Sequence, residues 1–203
     1  MINDLDQLSI NDIQRRVSRG GQGTSDAGWI DDVSEYTEAA VLLPLVRQSD
    51  GWHLLYIRRA THEHDYHSGQ VAFAGGKREP EDADLNQTAV REAHEEIGLQ
   101  PVDVSILGHL GPHYSISRFQ ITPVVAHVPW PYRLQLDSVE VARAFTIPLN
   151  WLANPNNHSI ESYRTSSFGT IPVVEFRPFD GERLWGATAR MTLSLLSLLH
   201  EHS

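Results

Sequence analysis

The stretch REAHEEIGL, Arg91 to Leu99, sets three glutamates within five consecutive positions directly after an arginine. On a helix, Glu92, Glu95 and Glu96 stand at i, i+3 and i+4, so three negative side chains share one side. Like charges there repel, and the cluster needs a reason. Upstream, Asp84 suits an N-cap with Gln87 three residues on, close to a capping box, while Gly98 suits the left-handed position that ends a helix. That gives roughly three and a half turns. Leu85, Ala89, Ala93 and Ile97 recur every four residues as a buried stripe, with Val90 beside it and the glutamates along its border.

Strand-length apolar runs surround this helix. AAVLLPLV (Ala39 to Val46) and WHLLYIRR (Trp52 to Arg59) flank a hairpin turn at Ser49, Asp50 and Gly51. QVAFAGG reads as a short strand running into a glycine turn, and VSILGHL, QITPVVAHV, VARAFTIPL and IPVVEF read as further strands. ATARMTLSLLSLLHEH is the second long helical pattern. Near the start, Leu5, Leu8, Ile10, Ile13 and Val17 mark one face of a short helix, followed by the soft segment RGGQGTSDAG. The expectation is an α+β sandwich, with residues 1–30 an N-terminal helix and flexible linker and residues 31–203 a single domain.

A chain of 203 residues with 40% hydrophobic content has room for one domain with a sizeable core. Its formal charge of −10 argues against broad binding of nucleic acid through phosphates. An anionic substrate would need a metal or a few placed cations. The absence of cysteine excludes disulfides and thiolate metal sites. No apolar run reaches the length of a signal peptide or membrane span, so a soluble cytoplasmic protein that uses no membrane is expected.

Three carboxylates on a stripe border raise one another's pKa unless something positive joins them, and a divalent cation would do so. Magnesium favours carboxylate and water oxygens, which leaves room for a phosphate. The competing reading is a solvated acidic face with an Arg91 to Glu95 salt bridge. Gly75 and Gly76 close a strand just upstream, freeing a backbone carbonyl for a metal and letting a phosphate approach. His62, His64 and His67 with Asp65 raise a zinc hypothesis, but no partner pair is evident and a polar loop at a pocket rim is favoured. His94 reads as a surface residue. Met191, Leu195, Leu196 and Leu199 read as core, part of which could serve a homodimer.

From Gly76 to Leu99 the chain resembles the Nudix box of the Nudix hydrolase superfamily: a glycine, five residues, a glutamate, seven residues, then R-E-apolar-x-E-E-x-G-apolar. REAHEEIGL matches every fixed position of the second half. In the first half Asp82 replaces the glutamate, with eight residues following it. That variant is similar to the coenzyme A pyrophosphatase branch, as are HSGQVAFAGG, FQITPVV, EVARAFTIPL and LWGATA, in order, over residues 39 to 199. Two departures stand upstream: His64 or Asp65 lies where the branch has an arginine, with one extra residue, and Ala74 replaces a proline.

The resemblance implies a Nudix-type α/β/α sandwich with a mixed β-sheet. It implies a hydrolase that uses Mg2+ or Mn2+ to cleave a nucleoside diphosphate linked to another moiety, foremost coenzyme A or its derivatives. Glu92 and Glu96 are the expected metal ligands, with the Gly75 carbonyl completing the shell and Glu95 as third ligand or as orienter of water. Arg91 would position a carboxylate. Glu140, in DSVEVARAF, is the candidate carboxylate from outside the box, and the general base stays open between Glu95 and Glu140. Arg59, Gly69, Gln70 and Gly76 are the implied substrate contacts. The alternatives are another dinucleotide or nucleotide sugar (NADH, ADP-ribose, a diadenosine polyphosphate) as substrate, or a non-catalytic nucleotide-binding regulator.

Overall fold

The computed structural model describes residues 5–20, 35–62, 68–165 and 169–200. In chain order its elements are α1 (Ile10–Gly20), β1 (Thr37–Gln48), β2 (Gly51–Arg59), β3 (Val71–Ala72), β4 (Gly75–Lys77), α2 (Leu85–Ile97), β5 (Ser105–His109), β6 (His113–Tyr114) and β7 (Phe119–His127). There follow β8 (Val141–Pro148), a short α3 (Leu149–Leu152), β9 (His158–Thr165), β10 (Gly169–Phe176) and α4 (Gly186–His200). The main sheet runs β3-β2-β1-β7-β5, with β4 on β1, β6 on β7 and β8 on β2, while β9 and β10 form a separate hairpin. β1 is parallel to β7 and the other pairs are antiparallel, so the sheet is mixed.

β1 organises the fold because both of its faces are buried, as its unbroken apolar run requires. Ala40, Leu42 and Val46 pack on the α2 side with Ala89, Ala93 and Ile97. Leu43 and Leu45 pack on the other side with Ile13 and Val17 of α1 and Leu195 and Leu199 of α4. The result is the α+β, α/β/α sandwich that the strand-rich pattern predicts. Leu5, in a 3-10 turn ahead of α1, is buried in the α1/α4 layer as well. Met191, Leu195, Leu196 and Leu199 are all buried there, so the core takes the whole stripe.

One element differs from its sequence reading in a way that shapes the site. QVAFAGG is two short strands instead of one, because β1 pairs with β2 at its far end (Leu45 opposite Leu54) and with β4 at its near end (Ala40 opposite Gly76). β3 stays on β2, with Ala72 opposite Ile57, and the chain then crosses at Phe73 and Ala74, where the Leu42 N–H donates to the Ala74 carbonyl at 2.8 Å. This crossing sets Gly75 and Gly76 against β1 and under α2. β6, β9 and α3 had no expectation. β9, HSIESYRT, is polar and largely exposed and offers no apolar alternation to read.

Candidate metal and phosphate site

Local chemistry fixes α2. Asp84 accepts from the Gln87 N–H at 2.9 Å, and Gln87 Oε1 accepts from the Ala83 N–H at 2.8 Å, a reciprocal cap displaced by one residue from a strict capping box. Gly98, at φ 73°, turns its N–H onto the carbonyls of Ala93 and His94 and ends the helix. The glutamates do not share one border position, as the sequence suggested, but are graded inward: the side chains of Glu95, Glu92 and Glu96 are 55%, 16% and 3% exposed. Glu96 turns inward because β4 docks beside it, a long-range pairing that α2 alone does not reveal.

Glu96 accepts from the Gly75 N–H at 3.2 Å, and its other oxygen lies 3.8 Å from Arg59 Nη1. Burial pushes its carboxyl up to about 8, with Glu140 and Glu92 adding to the rise and Arg59 and Gly75 opposing it. Glu92 is raised as well, first by burial and then by Glu95 and Glu140, against the pull of Arg91. A Cβ on Gly76 would come within 2.5 Å of Glu92 Oε1, so the second glycine makes the space that this carboxylate occupies. A Cβ on Gly75 would meet the Ala40 carbonyl oxygen at 2.3 Å, so the first glycine permits the pairing with β1.

Arg91 joins the box together. Its Nε and Nη2 donate to the two oxygens of Asp82 at 3.1 and 3.0 Å, its Nη1 to Glu92 at 2.9 Å and Glu95 at 3.1 Å, and its Nη2 also to the Lys77 carbonyl at 3.0 Å. Asp82 is buried and accepts further from Thr88 Oγ1 at 2.9 Å and the Glu79 N–H at 3.0 Å. The Arg91 hydrogen bonds, foremost, hold its carboxyl well below the usual carboxylate range. Sequence reading saw Asp82 only as a departure from a pattern. The pairing that gives it a task joins it to a residue nine positions away across a loop and a helix, and its one signal was the fixed spacing.

Glu140 comes from outside the helix. The Asp137 N–H donates to the Glu96 carbonyl at 2.9 Å and the Ala60 N–H to the Glu140 carbonyl at 2.8 Å, so the turn before β8 bridges the end of α2 and the end of β2. Its carboxylate thereby raises both Glu92 and Glu96. Gly69, at φ 70°, precedes Gln70, whose carbonyl accepts the Arg59 N–H at 3.0 Å, which brings that segment to the same end of β2. His94 is exposed, with Nδ1 3.1 Å from the Leu99 carbonyl. His64, Asp65 and His67 lie outside the described residues.

Among the described residues, no three His, Asp or Glu side chains are gathered closely enough to enclose an ion, and Arg91 draws Glu92 and Glu95 toward itself. The residues nevertheless fit a hard divalent cation. The donors are carboxylate and carbonyl oxygens, two of the carboxyls are raised by burial and by one another, and the missing side chain of Gly76 lets the Glu92 carboxylate lie against the glycine pair. Glu92, Glu96 and the Gly75 carbonyl would hold the ion.

Residues 36–166 match the family model described as the NUDIX domain. The chain is 44% identical over 119 residues to an uncharacterized Nudix hydrolase NudL of Enterobacter sp. (strain 638), covering 59% of this chain and 61% of that protein. It is 39% identical over 152 residues to the NudL of Yersinia pestis (strain Pestoides F), covering 74% of each. Among solved structures, a C. elegans Ap4A hydrolase binary complex is 18% identical with a TM-score of 0.48, covering 55% of this chain and 80% of that one. With the family model spanning more than half of its length, including the helix of the graded glutamates and the glycine pair beneath it, the chain belongs to the Nudix domain family.

Proposed function

We propose that the protein is a divalent-metal-dependent hydrolase that cleaves the diphosphate of coenzyme A or its derivatives to phosphopantetheine and adenosine 3',5'-bisphosphate. The observation that carries the hydrolase reading is the buried Glu96 carboxyl, raised further by the charges of Glu140 and Glu92, with Arg59 at 3.8 Å. Such crowding is costly without a cation. A bound Mg2+ or Mn2+ supplies neutralisation of phosphate oxygens and a lowered pKa for water. The chain's own residues do the rest. Arg91 holds Glu92 and Glu95 in place, and Gly76 presents no side chain to an approaching phosphate. Glu95 or Glu140 takes the proton as a water oxygen bonds to one phosphorus and the bridging oxygen leaves with the other phosphate. Glu95, 55% exposed and tied to Arg91, is free to meet solvent, whereas Glu140 lies close enough for its charge to raise the carboxyls of both metal-ligand candidates.

The substrate assignment rests on the sequence resemblance of HSGQVAFAGG, FQITPVV and LWGATA. The substrate is a small molecule, in keeping with the acidic charge, and no helix among the described residues is long and apolar enough to cross a membrane. A second reading, another diphosphate-linked nucleotide such as NADH or ADP-ribose, is favoured by His64 or Asp65 standing in place of an arginine. One charge-assisted phosphate contact is worth roughly ten- to hundredfold in kcat/KM. The test is turnover of coenzyme A, acetyl coenzyme A, NADH, ADP-ribose and diadenosine tetraphosphate with Mg2+ or Mn2+, with products identified by mass. Coenzyme A should be cleaved with a high KM, and His64→Arg or Asp65→Arg should lower that KM more than it lowers the KM for NADH. Faster cleavage of another compound, with that order unmoved by the arginine, overturns the substrate. No turnover of any compound overturns the hydrolase reading.

A further inference from the structure

The carboxylate of Glu140 is held by a turn that has almost no apolar anchorage: Val139 is 64% exposed, and Asp137, Ser138 and Glu140 are exposed too. Hydrogen bonds hold it instead. On one side, the Asp137 N–H reaches the Glu96 carbonyl at 2.9 Å. Within the turn, the Asp137 carbonyl accepts from Glu140 and Val141 at 3.1 and 2.7 Å, and Asp137 Oδ1 accepts from the Val139 N–H at 2.8 Å. On the other side stands His62, three residues beyond β2. Its Nε2 lies 2.6 Å from the Val139 carbonyl oxygen, which only accepts, so the imidazole donates. The His62 backbone N–H donates to Ser68 Oγ at 2.7 Å, which fixes the residue at the foot of the segment leading to Gly69 and Gln70.

We propose that His62 is a positioning residue for Glu140, its ring N–H to Val139 fixing the turn so that the Glu140 carboxylate stays close to Glu92 and Glu96. This rests on the hydrolytic role of Glu140 proposed above. The imidazole itself is tied to a backbone carbonyl and takes no part in the chemistry. Together with the Ala60 N–H it makes the exit of β2, where Arg59 lies, and the Glu140 turn one unit. A displaced turn would move a carboxylate whose value depends on its aim, so the effect falls on kcat and not on substrate affinity.

The test compares His62→Leu, which keeps bulk without a donor, with His62→Gln, whose amide N–H takes the place of Nε2–H, each alone and combined with Glu140→Gln in the full chain. With the best substrate of the turnover panel, His62→Leu should lower kcat about tenfold, the loss expected for one such hydrogen bond, with KM within about twofold, and His62→Gln should recover most of it. In the Glu140→Gln background His62→Leu should cost nothing further. In metal-free protein, hydrogen exchange at the amides of Ala60 and Val141 should quicken in His62→Leu and not in His62→Gln. An equal loss in both backgrounds, or unchanged kcat and exchange in His62→Leu, overturns the inference while leaving the hydrolase reading intact. Full turnover by Glu140→Gln, or none by the wild type, overturns the role of Glu140 and this inference with it.

Discussion

Replacing Glu96 by glutamine should stabilise the metal-free protein and abolish its turnover. The folded carboxyl is pushed from its ordinary 4.5 up to about 8, mainly by burial. The sign follows from linkage: a group raised in the folded state contributes full stability below its unfolded value, and that contribution is lost as pH rises toward the folded value. Over this interval the cost of carrying Glu96 is on the order of 3 kcal/mol at pH 7 and 4 kcal/mol at pH 8, and under about 1 kcal/mol at pH 5. Glutamine stands in for the protonated acid. It keeps an oxygen for the Gly75 N–H and never ionises. Thermal melts with EDTA should therefore lie within about 4 °C of each other at pH 5 and separate by roughly 8 to 16 °C at pH 8 in favour of Glu96→Gln. Saturating Mg2+ should reverse the order, because only the carboxylate binds the ion well. If wild type and variant melt together at pH 8 without divalent metal, or the variant melts first, a buried charge at Glu96 is not what the site suffers from.

Asp82→Asn should destabilise the protein by about 1.5 to 3 kcal/mol at neutral pH, since Arg91 loses its bidentate partner while keeping Glu92 and Glu95. Because the Asp82 carboxyl is depressed in the folded state, its contribution is present above its unfolded value and lost as pH falls, so acid melts of the variant should lack a wild-type drop below about pH 4. Gly76→Ala should fold but bind Mg2+ at least about tenfold more weakly by calorimetry, because the new Cβ displaces the Glu92 side chain. Gly75→Ala should fail to fold stably, because its Cβ meets the β1 backbone. Mg2+ at a hundredfold excess over Kd should stabilise the wild type by about 2.7 kcal/mol, and sodium at matched ionic strength should not, as read by thermal melts.

What the sequence revealed was local. The α2 helix could be read from Asp84, the four-residue stripe and Gly98 because caps and periodicity act within one turn. The box could be read because its spacing is fixed on that helix. Long-range docking hid the rest. Nothing in REAHEE tells that Glu96 is buried and Glu95 is not, since β4 makes the difference, and β4 itself was hidden within QVAFAGG because its pairing depends on where β1 leaves β2. The bond from His62 to Val139 spans a separation that no periodicity encodes, and His62 stood out in the sequence only as one of several histidines.

The same geometry explains how a site with raised carboxyls remains assembled. Glu92 and Glu96 oppose folding when ionised, whereas Asp82, depressed and bonded to Arg91, Thr88 and the Glu79 N–H, favours it. Arg91 couples the two sets, because one guanidinium spans Asp82, Glu92 and Glu95. A bound ion would therefore not have to compete for Arg91 as a whole: the Asp82 pair could stay closed while Nη1 gave up Glu92. The favourable half of the box holds α2 on the sheet, and the unfavourable half is what a bound cation would relieve.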